Sequence, residues 1–236
     1  MSWADFLLQN LQLKPNQRVL ELGCGNAIFW KAVSSKIPEG IKLTLSDVSM
    51  GMLDAAKNNT NELDFVENHA VIDAQQIPFN DETFDVIIAN YMLYHVPDID
   101  KALNEISRVL KTNGLFCAAT FGKDNLKEVD SIFTGFDKGI DAVINSLCGA
   151  FGLETGGAYL KKYFGFVELK RYENGLRITE PDLLADYFLS YRGMGNVGDV
   201  ITDSKIPQFK DFIAKIFAIK GYIDISQDEG VFICKH

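Results

Sequence analysis

No apolar run in the chain approaches the roughly 20 residues that a bilayer-spanning helix needs, so no membrane-embedded segment is expected. There is no lysine- or arginine-rich tract, and 32 acidic against 23 basic residues leave a formal net charge of −9. That balance repels a phosphate backbone at long range, which disfavours nucleic acid as a partner. Only three histidines and four cysteines occur. The histidines, at 69, 95 and 236, and the cysteines, at 24, 117, 148 and 234, show no metal-ligand spacing. No metal site is therefore expected. The scattered cysteines make no disulfide framework, and Cys117 and Cys234 sit in strand-like apolar runs as small buried hydrophobes. The first residues, MSWADFLLQNLQLK, lack the basic start of a secretory leader, so a reducing, cytoplasmic setting is expected.

What is present is ample for a core. The chain has 236 residues, of which 47% are apolar, enough for one large domain, or one domain with an elaboration, to fold without staples. Trp3, Phe6, Leu7 and Leu11 recur at helical spacing behind Ser2, a fitting N-cap. Then strand and helix patterns alternate: RVLEL, a helix from Ala27, IKLTLSD, the helix SMGMLDAAKNN, LDFVENHAVI, FDVIIAN, the amphipathic DIDKALNEISRVLK capped by Asp98, and GLFCAATFG. This rhythm predicts βαβ units with right-handed crossovers, an open doubly wound α/β sheet covered on both faces. The regularity stops near Gly122. Residues 124–163 read as two or three helices, too long for a connection. Strand character returns in GFVELKRYENGLRI, with ENG as a turn signal. Helices follow near 180–191 and 206–219, and GYIDISQDEGVFICKH reads as strand, turn and strand.

Polar residues punctuate the strand ends, where ligands bind in open α/β sheets. Gly23-Cys24-Gly25 allows close backbone approach and frees amide N–H groups. Asp47 is placed to accept hydrogen bonds from vicinal ribose hydroxyls, and Asp73 to accept from an exocyclic adenine amine. Val48 and Ile77 offer apolar faces to a ring. Glu21 and Asn90, at the first and fourth strand ends, suit a ligand's ammonium group. Each acid taken singly also reads as a helix cap; together, behind a glycine turn, they describe a nucleotide-like site. Ala27 stands in for a third glycine and is tolerated as long as its φ need not be positive. A dinucleotide fingerprint would want glycine where Ile28 stands, and no Arg or Lys is near to meet a pyrophosphate.

VLELGCGNA, LSDVSMGMLDAAKNN, VIDAQQIPFNDETFDVIIANYMLYHVPD and ALNEISRVLKTNGLFCAATFG, in this order, resemble the class I S-adenosylmethionine-dependent methyltransferases, especially the bacterial small-molecule type. The likeness runs from about Leu7 to Gly122. It implies a Rossmann-like doubly wound, seven-stranded, mostly parallel sheet with an antiparallel last strand. Residues 1–122 would form the cofactor-binding core, 123–163 a helical insertion or lid, and 164–236 the completion of the sheet with substrate-facing helices. It further implies that Gly23, Cys24 and Gly25 wall the methionine part of S-adenosylmethionine and that Asp47 holds the ribose beside Val48. Asp73 and Ala74 would read the adenine edge, while Asn90 and Tyr91 lie near the sulfonium and the acceptor.

Methyl transfer from a sulfonium needs alignment and a dry pocket above all. His95, the only histidine near a strand end, is the candidate base, with an anchoring role for the loop before Asp98 as the plainer reading. Tyr91 is the second catalytic candidate. Tyr91 and Tyr94 are candidate walls of the acceptor pocket. Tyr187 and Tyr191, one helical turn apart, and Arg192 beside them are either a packing stripe or acceptor contacts. Phe133, Phe136 and Phe151 read as packing, as do Phe29 and Trp30. The expected activity is methylation of a small molecule. Methylation of RNA or protein, or cofactor binding without catalysis, remain the alternatives, and the oligomeric state stays open.

Overall fold

A computed structural model describes residues 1–141 and 149–236. Residues 142–148, which include Cys148 and part of the expected 123–163 insertion, lie outside the described residues. Seven strands form one sheet: β1 (Arg18–Leu22), β2 (Lys42–Asp47), β3 (Val66–Val71), β4 (Phe84–Asn90), β5 (Leu110–Phe121), β6 (Phe166–Ile178) and β7 (Ile223–Lys235). Their order is β3-β2-β1-β4-β5-β7-β6. The first five pair in parallel, and the strands at the C-terminal end of the chain are antiparallel. The order reverses between β1 and β4, which opens a crevice beyond their carboxyl ends.

The chain divides into two compact units. The first comprises residues 1–120, 150–172 and 229–236, the second 121–149 and 173–228. In the first, alternate residues of each central strand enter opposite apolar layers, because successive side chains of a strand point to opposite faces. Leu20, Ile87 and Phe116 enter one layer, which packs on Leu103 and Ile106 of helix α4 (Ile99–Val109). Val19, Ile88 and Cys117 enter the other, against Leu7 and Leu11 of α1 (Trp3–Leu11) and Trp30 and Val33 of α2 (Ile28–Val33). The caps follow the sequence pattern. Ser2 accepts from Asp5 N, and Asp98 accepts from Lys101 N. Ser49 accepts from Met52 N at the start of α3 (Met50–Thr60).

The second unit has its own core. Val129 and Phe133 of α5 (Lys127–Phe136) meet Leu184 and Phe188 of the helix Pro181–Leu189 and Phe209 and Ile213 of the helix Ile206–Lys220. Phe151, by contrast, belongs to the first unit's core. No helix among the described residues is long and apolar enough to cross a membrane.

Two expected turns are absent. ENG lies inside β6, and SQDE lies inside β7. The polar tract of β7 stays extended because partners remote in sequence satisfy it. Leu126 N donates to Ser226 O (2.8 Å) and Gly122 N to Asp228 O (2.8 Å). Ser226 N and Oγ donate to the Glu128 carboxylate, at 2.8 and 2.6 Å, and Asp228 N donates to Asn125 Oδ1 at 3.1 Å. Asn174 Nδ2 reaches Gln227 Oε1 at 2.8 Å. Glu128→Ala is therefore expected to weaken the second unit by about 1–3 kcal/mol. Urea unfolding checks this; an unshifted transition would contradict the role given to Glu128.

Candidate active site

Beyond the end of β1 the backbone turns through Gly23 (φ 64°), Gly25 (φ 54°) and Ala27 (φ 55°). A Cβ on Gly23 would lie 2.6 Å from Met92 Cβ, so only glycine fits that approach. The turn is pinned from β2: Cys24 N donates to Ser46 O at 2.8 Å, and Gly25 N to Asp47 Oδ2 at 3.0 Å. Ala27 N closes it onto Cys24 O at 2.9 Å. The condition for Ala27 to replace glycine without penalty is not met, because its φ is positive. A left-handed alanine costs about 1–2 kcal/mol, offset in part by a methyl group buried in the core beside Trp30.

Two of the expected acids form the framework of the site. Glu21 is 2% exposed. Its Oε2 accepts from the Trp30 indole at 2.5 Å and its Oε1 from Asn90 Nδ2 at 2.8 Å. Burial pushes its carboxyl up to about 7, a rise that the two donors moderate and the Asp47 carboxylate reinforces. Trp30 is thus core packing and more, since it supplies one of the two hydrogen bonds to this acid. Asp47 accepts from Gly25 N and, through Oδ1, from Ser49 N at 2.8 Å. The cap of α3 is Ser49, which leaves Asp47 as the tie between the glycine turn and the second strand end.

Two cavities border these residues, both within the first unit. One, of about 660 Å³, is lined by Asp47, Val48, Asp73, Ala74, Gln75 and His95 among others. The second, of about 640 Å³, is lined by Trp3, Glu21, Cys24, Phe29 and Asn90 among others. Gly23, Gly25 and Tyr91 line both. These volumes fall in the range of small-ligand sites. Val48 and Ile28 stand 68% and 56% exposed on the walls, apolar surface open to a ligand. The Oδ1 of Asn90 is buried with no hydrogen-bond partner, and neither lining set includes a lysine or arginine among the described residues.

Asp73 is exposed, and its carboxylate accepts from Gln75 N at 2.9 Å and Gln75 Nε2 at 3.0 Å. These bonds hold it below the usual carboxylate range. His95, also exposed, packs its ring 4.4 Å from that of Tyr94. Tyr91 adopts φ 51°, a strained backbone for an aromatic residue. Its N–H donates to Ala119 O at 3.0 Å. Its hydroxyl donates to the carboxylate of Glu229 on β7, and its ring centroid lies 5.5 Å from that of Trp3. Burial, with Glu229 adding to it, holds the Tyr91 phenol well above its ordinary range.

Of the expected site residues, Glu21, Gly23, Cys24, Gly25, Asp47, Val48, Asp73, Ala74, Asn90, Tyr91 and His95 are all on these walls. Ile77 is not; it is 2% exposed and belongs to the core. Tyr94 is on neither wall and packs on the core. Tyr187, Tyr191 and Arg192 belong to the second unit. There Tyr187 and Tyr191 share a 2.7 Å hydroxyl contact, and Arg192 pairs with Asp203 at 2.8 Å. Sequence reasoning missed Trp3, Phe29, Ser49, Met52, Gln75 and Met92 as walls. Gln75 stands two residues after a candidate acid and could have been found; Trp3 gave only the signal of an amphipathic helix.

Residues 20–118 match the family model described as "Methyltransferase domain". A ubiquinone/menaquinone biosynthesis C-methyltransferase of Pectobacterium carotovorum is 28% identical over 136 residues, which cover 57% of this chain and 54% of that protein. The chain thus spans about half the length of the curated relatives it matches. Among solved structures, the YcgJ protein from Bacillus subtilis has a TM-score of 0.64 at 17% identity, covering 99% of this chain and 97% of its own. A putative methyltransferase from an antibiotic biosynthesis pathway of Anabaena variabilis has a TM-score of 0.67 at 11% identity, with coverages of 99% and 96%. Residues 20–118 are thus similar to the methyltransferase domain, and the sheet has the fold of solved methyltransferases.

The raised Glu21 carboxyl has a consequence for stability. Its neutral form is favoured by folding, so its contribution is complete below the unfolded value near 4.5 and is lost as pH rises through about 7. Relative to Glu21→Gln, the ligand-free protein should lose about 3 kcal/mol of stability across that window. Denaturant unfolding at several pH values checks this, and parallel curves for the two proteins would refute it.

Proposed function

We propose that this chain transfers the methyl group of S-adenosylmethionine to a small-molecule acceptor by in-line displacement. The observation that carries the reading is a pair of cavities sharing Gly23, Gly25 and Tyr91, edged by acids and an unpartnered amide oxygen, with no lysine or arginine on their described walls. Such a donor and acceptor set suits a cationic, zwitterionic cofactor and does not suit a pyrophosphate.

In this reading Asp47 accepts from the ribose hydroxyls. Val48 and Met52 flank the adenine, and Asp73, Ala74 and Gln75 line its edge. Glu21 and Asn90 take the ammonium group, for which the free Asn90 Oδ1 is a ready acceptor. When bound, the cofactor supplies an electrophilic methyl with its leaving group built in. The chain's own task is alignment and exclusion of water, and a base is required only where the acceptor keeps its proton until late.

His95 shares a wall with Asp47 and Asp73, which supports a place beside the cofactor over a role as base. Tyr91, common to both cavities, is the residue best placed to meet the acceptor. Trp3 and Phe29 give the second cavity an aromatic character that supports an apolar ring or chain in the acceptor. The relatives named for quinone biosynthesis are consistent with such a molecule. A reducing, cytoplasmic setting belongs to the same proposal, supported by free thiols at Cys24, Cys117 and Cys234. With no lysine or arginine on their described walls, the cavities give no support to an RNA acceptor, which needs a basic surface.

Thermal or chemical unfolding with added ligand tests the cofactor. S-adenosylmethionine or S-adenosylhomocysteine at a hundred times its Kd should stabilise the protein by about 3 kcal/mol, and NAD should not. A shift with NAD alone would overturn the assignment. Asp47→Asn should weaken S-adenosylhomocysteine binding by roughly 10- to 100-fold, as expected for losing a charged acceptor to the ribose. Unchanged affinity by calorimetry would remove the ribose role.

A further inference from the structure

Tyr91 is held unusually for a residue on a ligand wall. It is a large aromatic in the left-handed backbone region, where such residues persist only if the surroundings over-determine them. Three contacts do so: the bond from its N–H to Ala119 O, the ring packing with Trp3 and the bond from its hydroxyl to Glu229. The phenol hydrogen is thereby committed to an acid. Glu229 comes from β7, 138 positions along the chain, and is on the wall of neither cavity. The Tyr91 hydroxyl ties it to the site.

We propose that Glu229, acting through the Tyr91 hydroxyl, makes the wall shared by the two cavities favour the cationic cofactor over its neutral product. The inference rests on the cofactor reading above. An aromatic face attracts a cation, and a phenol that donates to a carboxylate has a more electron-rich ring. The carboxylate on the hydroxyl adds a Coulombic attraction, opposed by no lysine or arginine on the described walls. Transfer of the methyl group removes the positive charge from the sulfur. The attraction ends with it, so the same wall that draws in the methyl donor lets the product go. Glu229 is a positioning residue in this scheme, acting through the hydroxyl of Tyr91.

Isothermal titration with S-adenosylmethionine and S-adenosylhomocysteine, near pH 8 and at low salt, tests this without any methyl acceptor. Glu229→Gln keeps the shape and a hydrogen-bond acceptor but removes the charge. It should leave S-adenosylhomocysteine affinity within about twofold while weakening S-adenosylmethionine about five- to tenfold. Tyr91→Phe, which cuts the link, should shift the ratio of the two affinities in the same direction. Should the glutamine variant fail to fold, the phenylalanine variant carries the same readout. Sinefungin, with an ammonium group near the position of the sulfonium, should follow S-adenosylmethionine.

A merely structural role would weaken all three ligands in parallel. That result, or an unchanged ratio in both variants, overturns the proposal. Wild-type protein that binds none of the three defeats the cofactor reading itself, and the inference falls with it.

Discussion

One buried carboxylate organises the active-site end of the sheet. Glu21 receives the indole N–H of Trp30 and the amide of Asn90, so a single side chain ties β1 to the first crossover helix and to the end of β4. Burying an acid with only neutral partners is unfavourable, and its raised carboxyl records that penalty. The arrangement makes physical sense as a site prepared for a cation. A bound ammonium would let Glu21 ionise where the empty protein keeps it half neutral near pH 7, and the unpartnered Asn90 Oδ1 beside it points to the same ligand chemistry.

Around this acid the other parts become mutually dependent. The glycine turn can approach Met92 only because Gly23 has no side chain. Its shape is fixed by Asp47, which accepts from Gly25 N while lining the cavity itself. Asp47 thus couples the shape of the turn to the wall proposed for the ribose. Tyr91 sits where the two cavities share a wall, strained in its backbone and anchored through Glu229. The acids therefore have distinct surroundings: one is buried with its carboxyl raised, one is tied to backbone N–H groups, and one accepts from the Tyr91 hydroxyl.

Much of this was legible in the sequence because it is local. Apolar runs ending in Glu21, Asp47 and Asn90 announce parallel strands with polar carboxyl ends, and the two layers of the core follow from the alternation of Val19 with Leu20 and of Ile87 with Ile88. What was not legible depends on distant partners. SQDE reads as a turn until Glu128 and Asn125 satisfy it as strand. Ala27 reads as a mild replacement for glycine until the backbone shows a positive φ. Ile77 has the composition of a ring contact, yet the packing of its segment on α4 turns it into the core. Glu229 carries no local signal at all, since only the folding of β7 into the sheet brings it to Tyr91. Tyr187, Tyr191 and Arg192 formed a tidy helical pattern, yet the tyrosines contact each other and the rings of Phe133 and Phe188, and Arg192 pairs with Asp203.

Whether Glu21 and Asn90 receive the ammonium group of the cofactor can be read by proton linkage. Titrating S-adenosylhomocysteine into the protein near pH 7, in buffers of differing ionisation enthalpy, counts the protons exchanged on binding. Net release of a fraction of a proton is expected, because the ligand's ammonium lowers the carboxyl of Glu21, which burial raises to about 7 in the free protein, and Glu21→Gln should abolish the release. Binding with no proton exchanged, or with uptake, would contradict that placement of the ammonium.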